Sequence, residues 1–166
     1  MITAIDGNFD QALLRQAFGA FPSGVTAFCG LIEGVPEGMA ASSFTSVSLD
    51  PPLVSVCVAN TSTTWPKLAQ LDRLGLSVLA NEHAPVARSL ASRTGDRFSG
   101  VDWTSTDTGA VFVHGSTLWL ECVPFKLVEA GDHEIVVLQI VALAVYPDIA
   151  PMIFHRSNFH GLVSAS

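Results

Sequence analysis

GMAASSFTSVSLDPPLVSVCV, residues 38–58, decides the fold. Its first half carries five hydroxyls within seven residues: Ser42, Ser43, Thr45, Ser46 and Ser48. Asp50, Pro51 and Pro52 then end one strand and start another, because proline gives no N–H to a ladder and restricts the residue before it. The second half, 53–58, is a short apolar run rich in valine, so the segment reads as strand, proline turn, strand. By composition alone the hydroxyl run is the solvent face of an ordinary strand. A second reading is chemical: in an acidic protein, hydroxyls and freed backbone N–H groups hold a phosphate and a polar ring edge without adding charge.

The flanking sequence extends the β pattern. Segments rich in Val, Thr, Phe and Ser between Gly and Pro predict strands over 24–32, 40–48, 52–59, 75–80, 118–129 and 134–146. Phe9, Leu13, Leu14, Ala17, Phe18 and Phe21 recur at three- and four-residue spacing and predict an opening helix, broken by Pro22, Ser23 and Gly24. Shorter helices are expected over 65–71, with Pro66 near its first turn, and over 84–94, where Val86, Leu90 and Ala91 share a face. The run EIVVLQIVALAV, 134–145, lacks clean alternation. It is expected to be a strand buried on both faces, against a barrel interior and against a helix or a second subunit. The pattern predicts one domain over 1–166, mainly β with an α+β arrangement, in which a six-stranded antiparallel sheet closes into a barrel flanked by helices.

Composition narrows the function. The 166 residues are 49% hydrophobic and 14% charged, few charges for a monomer's surface, so part of the apolar surface is expected to be an oligomer interface. The net charge of −7, with eight Lys and Arg, disfavours nucleic acid and anionic membranes, while a nucleotide held by backbone N–H groups and hydroxyls stays admissible. Cys29, Cys57 and Cys122 each lie in an apolar run and are expected to be buried free thiols in a reducing cytoplasm. The acidic opening MITAIDGNFD has no basic region of a signal peptide, and no apolar stretch reaches the ~20 residues of a membrane span. A G-x-G-x-x-G, a P-loop, C-x-x-C, H-E-x-x-H and G-x-S-x-G are all absent, so a bound nucleotide needs another fold and neither a metal site nor a hydrolase nucleophile is expected.

Three further segments go with the hydroxyl run: FPSGV at 21–25, DRF at 96–98 and AGDHEI at 130–135. In this order and spacing, with WLEC at 119–122, they resemble the flavin reductase-like family, the short reductase components of two-component flavin monooxygenases. The resemblance runs over 9–162. It implies an FMN-binding split barrel of Greek-key topology that forms a homodimer, and reduction of FMN or FAD by NADH or NADPH for a separate monooxygenase. It implies that Pro22, Ser23 and Gly24 lie along the isoalloxazine, that Ala41, Ser42, Ser43, Phe44 and Thr45 line the ring and ribityl chain, and that Asn60, Ser62 and Thr63 approach the ribityl chain or phosphate. Phe98 is implied near the flavin from the other side, and His133 as the residue that positions the nicotinamide. Ala40 stands where the family often has Thr, which puts one hydroxyl contact in doubt.

Each feature also has a plainer reading. Phe44 and Phe98 suit a core, and His133, after Gly131 and Asp132, suits an exposed hairpin turn. Arg97 is assigned to a surface ion pair with Asp96 or another carboxylate. Trp65, Trp103 and Trp119 are expected in packing or an interface, and the segment of His155, Arg156 and Phe159 is expected to fold over a partner's flavin. Two alternatives remain: a barrel that stores flavin or acts on another small molecule, and a silent interaction subunit of a larger oxygenase. The absence of an arginine cluster for a 2′-phosphate favours NADH.

Overall fold

The computed structural model describes residues 10–162. Helix α1 (Gln11–Phe18) is capped by Asp10, whose carboxylate accepts the Ala12 N–H at 2.8 Å. It is shorter at both ends than the spacing predicts; position 9 lies outside the described residues. Strand β1 (Ser23–Gly24) leads into β2 (Thr26–Ile32), β3 (Val35–Ala41), β4 (Thr45–Leu49) and β5 (Pro52–Ala59). After α2 (Trp65–Leu68) come β6 (Leu74–Val78), a 3-10 turn (Asn81–His83) and α3 (Ala84–Ala91). Then follow β7 (Trp103–Ser105), β8 (Val111–Val113), β9 (Leu118–Ala130), β10 (His133–Val145), β11 (Met152–His155) and β12 (Asn158–Gly161).

Seven strands form the main antiparallel sheet in the order β3-β2-β6-β9-β10-β5-β4. The predicted strand 40–48 is therefore two strands, and they lie on opposite edges of the sheet. Flat, seven strands at ~4.8 Å spacing would hold those edges about 29 Å apart. Only residues 42–44 join them, a reach of about 14 Å at full extension. The sheet must curl into a barrel, and its seam is the hydroxyl-rich segment.

Side chains close that seam. Thr26 Oγ1 donates to the Ala41 carbonyl at 3.0 Å. Ser43 Oγ accepts the Cys57 N–H at 2.8 Å and donates to the Cys57 carbonyl at 3.2 Å. One hydroxyl thus replaces both ladder bonds that β5 lacks beyond the point where β4 ends.

Alternation fills two cores. Val54, Val56 and Val58 of β5 share the first with Phe28, Leu76, Leu120, Val136 and Leu138, under Trp65 and Leu68 of α2. Ala27 and Cys29 of β2 face the second, with Leu79, Ala87, Leu90, Phe98 and Val111. β2 is buried on both faces as a result. A Cβ at Gly75 would collide with the Val111 backbone, so only glycine lets β6 and β8 approach this closely.

β10 is buried in its first half, while Val141, Leu143 and Val145 of its second half are exposed in the single chain. β11 and β12 form a hairpin, with no counterpart in the predicted strands, and β11 also pairs with β1. Cys57 is partly exposed rather than buried like Cys29 and Cys122. No helix of the described residues is long and apolar enough to cross a membrane.

Candidate active site

α3 packs across β3 and β2, the β11–β12 hairpin folds beside it, and between them a groove follows the barrel seam. Its first compartment is an apolar recess of about 160 Å³ lined by Val25, Ala40, Ala41, Ser42, Ala87, Ala91, Phe154 and Phe159. The small side chains on β3 and α3 leave the space, and the two phenylalanines, 5.4 Å between ring centroids, wall it. Arg88 lies 5.3 Å from the Phe159 ring centroid and steadies the hairpin by a cation–π contact.

Ala40 and Ala91 also line the second compartment, a hydroxyl-rich shelf of about 430 Å³ whose wall includes Ala59, Thr61, Ser62, Thr63, Thr64, Arg93 and Arg97. The shelf exists because β5 ends at Ala59 and the chain turns into α2. Ser62 Oγ accepts the Trp65 N–H at 3.1 Å, and Trp65 Nε1 donates to Glu134 at 2.9 Å, which fixes the start of that helix. A third compartment of about 260 Å³ shares Thr63, Thr64, Arg93 and Arg97 with the shelf. Arg97 Nη1 donates to the Gly38 carbonyl at 3.0 Å and to Thr64 Oγ1.

Arg97 is therefore not in the ion pair expected from its neighbour. Asp96 Oδ1 instead accepts the Phe98 N–H at 2.9 Å, while the guanidinium reaches elements 59 and 33 residues away in sequence.

The groove collects some of the residues singled out in sequence and leaves others beside it. Ala41 and Ser42 line the recess, Ser62 and Thr63 the shelf, and Phe98 the third compartment, where it is also packed edge-on to Trp103. Ser23 and Gly24 pair with Phe154 and Ile153 of the hairpin, next to the recess, and Pro22 precedes them in the open. Ser43 is spent on the seam, Phe44 packs on the first core, and Thr45 pairs with Ser55 on the exposed edge.

Asn60 locks the turn that carries His133: its N–H donates to the Asp132 carbonyl at 2.9 Å and its amide to the Gly131 carbonyl at 3.3 Å. His133 is the register partner of Ala59, a shelf residue, so the turn stands at the shelf's margin. Asp132 Oδ1 lies 2.7 Å from His133 Nδ1. That hydrogen bond and the imidazole's charge hold the Asp132 carboxyl below the ordinary range. With Nδ1 engaged, Nε2 is the ring nitrogen left for a ligand.

Sequence reasoning gave no site role to Ala87, Ala91, Arg93 and Phe154, which line the groove beside Ala40 and Phe159. Phe159 of the hairpin lines a recess of its own chain. Alanines at 84–91 were legible only as a helix face, and nothing in sequence set that face against 40–42.

A groove that passes from an apolar slot to a shelf of hydroxyls to a cationic end suits a molecule with a flat ring, a polyol and a phosphate. Comparison with known proteins agrees. A family model described as flavin reductase like domain matches residues 18–163. A flavin reductase of Pseudomonas putida is 34% identical over 156 residues, 93% of this chain and 92% of the relative. The reductase subunit HsaB of a flavin-dependent monooxygenase from Rhodococcus jostii is 31% identical, over 92% of this chain and 78% of its own length. The solved Streptomyces globisporus NADH:FAD oxidoreductase SgcE6, in complex with NAD and FAD fragments, superposes with a TM-score of 0.88 at 36% identity, covering 93% of each chain. With the split barrel, the seam groove and these matches in agreement, the chain belongs to the flavin reductase-like family.

Proposed function

We propose that this protein catalyses NAD(P)H-dependent reduction of FMN or FAD and supplies the reduced flavin to a separate flavin-dependent monooxygenase. The observation that carries this is the graded groove at the barrel seam, in which the recess, shelf and cationic end follow one another through shared residues.

The residues present fit a flavin. Ala40, Ala41, Ala87 and Ala91 would give a planar ring room to lie flat, with Phe154 and Phe159 against it. Ser42 and the backbone of 42–44 would meet the polar edge of the ring. Ser62, Thr63 and Thr64 would hold the ribityl chain and phosphate by hydroxyls, and Arg93 and Arg97 would neutralise the phosphate. Pro22, Ser23 and Gly24 would border the ring from the β1 side, and Phe98 would back the cationic end.

When bound, flavin accepts a hydride at N5 from a reduced nicotinamide, with one proton taken up from water, and NAD(P)⁺ leaves. The protein's part is positioning: two rings held at about 3–3.5 Å in aligned geometry react without a nucleophile from the chain. His133 would hold the nicotinamide carboxamide through Nε2, its ring oriented by Asp132 and the turn anchored by Asn60.

We also infer a homodimer in the cytoplasm. Phe18, Phe21, Leu49, Phe125, Leu127 and Leu143 are exposed, Leu49 to 96%. Three β-bulges turn Val47, Phe125 and Val141 outward on the same strands β4, β9 and β10. A second copy would cover this apolar belt. Among the described residues the cysteines are free thiols, as a reducing compartment keeps them.

Consumption of NADH at catalytic protein concentration should require added FMN or FAD. A storage barrel would bind flavin without consuming NADH, and a silent subunit would not bind flavin at all; either result would remove the enzyme reading.

A further inference from the structure

The two walls of the apolar recess share one root. α3 brings Ala87 and Ala91 to one side, and the β11–β12 hairpin brings Phe154 and Phe159 to the other. Residues 79–83 lie at the base of both. Leu79 donates to the Val25 carbonyl at 2.9 Å and accepts the Met152 N–H at 2.9 Å, Ala80 bridges to Pro151, and Asn81 donates to the Ala150 carbonyl at 3.0 Å. A Cβ on Gly161 would sit 2.8 Å from the Asn81 amide nitrogen, so β12 ends against this root as well. α3 begins at Ala84, directly after it.

The half-buried side chain of His83 fastens the root to the barrel. Its Nδ1 accepts the Ala80 N–H at 3.1 Å. In the neutral ring an accepting Nδ1 leaves Nε2 as the donor, and the His114 backbone accepts from the imidazole. Nε2 lies 3.3 Å from the place a Cβ on Gly115 would take. The turn it reaches is firm. Val113 donates to Ser77 Oγ at 3.1 Å, Thr117 to the Val78 carbonyl at 3.0 Å, and the His114 ring packs edge-on to Trp119.

We propose that His83 is a positioning residue for the flavin ring, which sets the gap between the two walls of the recess and lets that gap open in acid; this rests on the flavin reductase reading above. Only the neutral imidazole makes both contacts. A proton on Nδ1 turns the acceptor into a donor aimed at the Ala80 N–H, and attraction becomes repulsion. Burial outweighs Glu82 and the His114 backbone and keeps the ring neutral below its ordinary 6.5, so the fastening holds at neutral pH. The recess measures about 160 Å³, and a shift of either wall takes Ala87 and Ala91 or Phe154 and Phe159 off the ring between them.

The ionisable groups on the elements around His83 are Glu82 on its own turn, His114 on the facing turn, Arg88 on α3, and His155 and His160 on the hairpin, 6.1 Å apart. The pH profile is therefore read against variants of His83 alone. Dissociation constants for FMN and FAD would be measured by flavin fluorescence at pH 7.5 and 5.0 in wild type, His83→Asn and His83→Ala, with far-ultraviolet circular dichroism at each pH and the KM for NADH at pH 7.5. Asparagine keeps an acceptor where Nδ1 stands and cannot take the proton. The FMN phosphate gains a proton near about pH 6, which weakens binding equally in wild type and His83→Asn, so the difference between the two isolates His83.

His83→Asn should bind flavin within about twofold of wild type at pH 7.5, and from pH 7.5 to 5.0 the wild-type constant should rise roughly fivefold more than that of His83→Asn, as expected when the competent fraction falls to about a fifth. His83→Ala should bind roughly fivefold more weakly already at pH 7.5, with the KM for NADH within about twofold of wild type. An equal rise in wild type and His83→Asn, or wild-type affinity in a folded His83→Ala, would overturn the assignment while leaving the reductase intact. Loss of the circular dichroism of wild type at pH 5.0 would make the effect global unfolding and overturn it too. Failure of wild type to bind either flavin at pH 7.5 would instead bring down the underlying reading.

Discussion

Ser43→Ala should loosen the barrel at its seam. The hydroxyl is the partner of both the N–H and the C=O of Cys57, at 2.8 and 3.2 Å, beyond the last β4–β5 register pair on that side at Thr45 and Ser55. Removing it deletes two hydrogen bonds worth about 0.5–1.5 kcal/mol each, and leaving the half-buried N–H without an acceptor costs about 1–3 kcal/mol. Water reaches part of this edge, so a net loss of about 2 kcal/mol is expected, roughly 4–8 °C in Tm for a domain of this size. Urea unfolding and calorimetry at fixed protein concentration measure it, since the proposed dimer would make Tm concentration-dependent. Ser42→Ala is the control: Ser42 is exposed and makes no hydrogen bond of its own, so its change should stay within about 0.5 kcal/mol. Equal stability of Ser43→Ala and wild type, or an equal loss in both variants, would refute the idea that one hydroxyl closes the barrel.

Other expectations follow from the same contacts. Burial holds the His83 imidazole below its ordinary 6.5, and its Nδ1 accepts the Ala80 N–H at 3.1 Å, so the folded protein resists protonation there. The unfolded chain takes that proton first, so stability from this site is present above pH 6.5 and lost as pH falls through the lowered folded value; the urea midpoint should fall less on acidification in His83→Gln than in wild type. Burial pushes the Cys29 and Cys122 thiols up to about 12, so neither forms thiolate near neutral pH, and iodoacetamide followed by mass spectrometry should modify Cys57 first in the native protein. Phe125→Asp places a charge on the exposed bulge of β9 and should shift sedimentation from dimer to monomer while the far-ultraviolet circular dichroism is kept.

The strands that are long and apolar were legible because their neighbours along the chain decide them: the predicted 52–59 and 118–129 differ from β5 and β9 by at most a residue. The split of 40–48 was not. Ser, Thr and Val continue through 42–48 with no breaker, and the strand parts only because Ala41 and Thr45 belong to opposite edges of a sheet that closes on itself. The β11–β12 hairpin escaped for a local reason. Its turn residues, Arg156 and Ser157, have φ of 48° and 63°, a conformation that usually announces itself by glycine or asparagine. Arg97 was misread because sequence offers Asp96 as the adjacent partner, whereas folding brings Gly38 and Thr64 within reach. The hydroxyls of 42–45 were found as a cluster, but their division of labour, Ser43 to the seam and Ser42 to the recess wall, needed the structure.

The most direct test of the central claim is anaerobic absorbance at the flavin band, with protein at catalytic concentration, FMN or FAD in excess, and NADH or NADPH added. The band should bleach over many turnovers with one NAD(P)⁺ formed for each flavin reduced. Bleaching no faster than in the absence of protein, with flavin nonetheless bound, would leave a flavin-binding barrel and contradict the reductase.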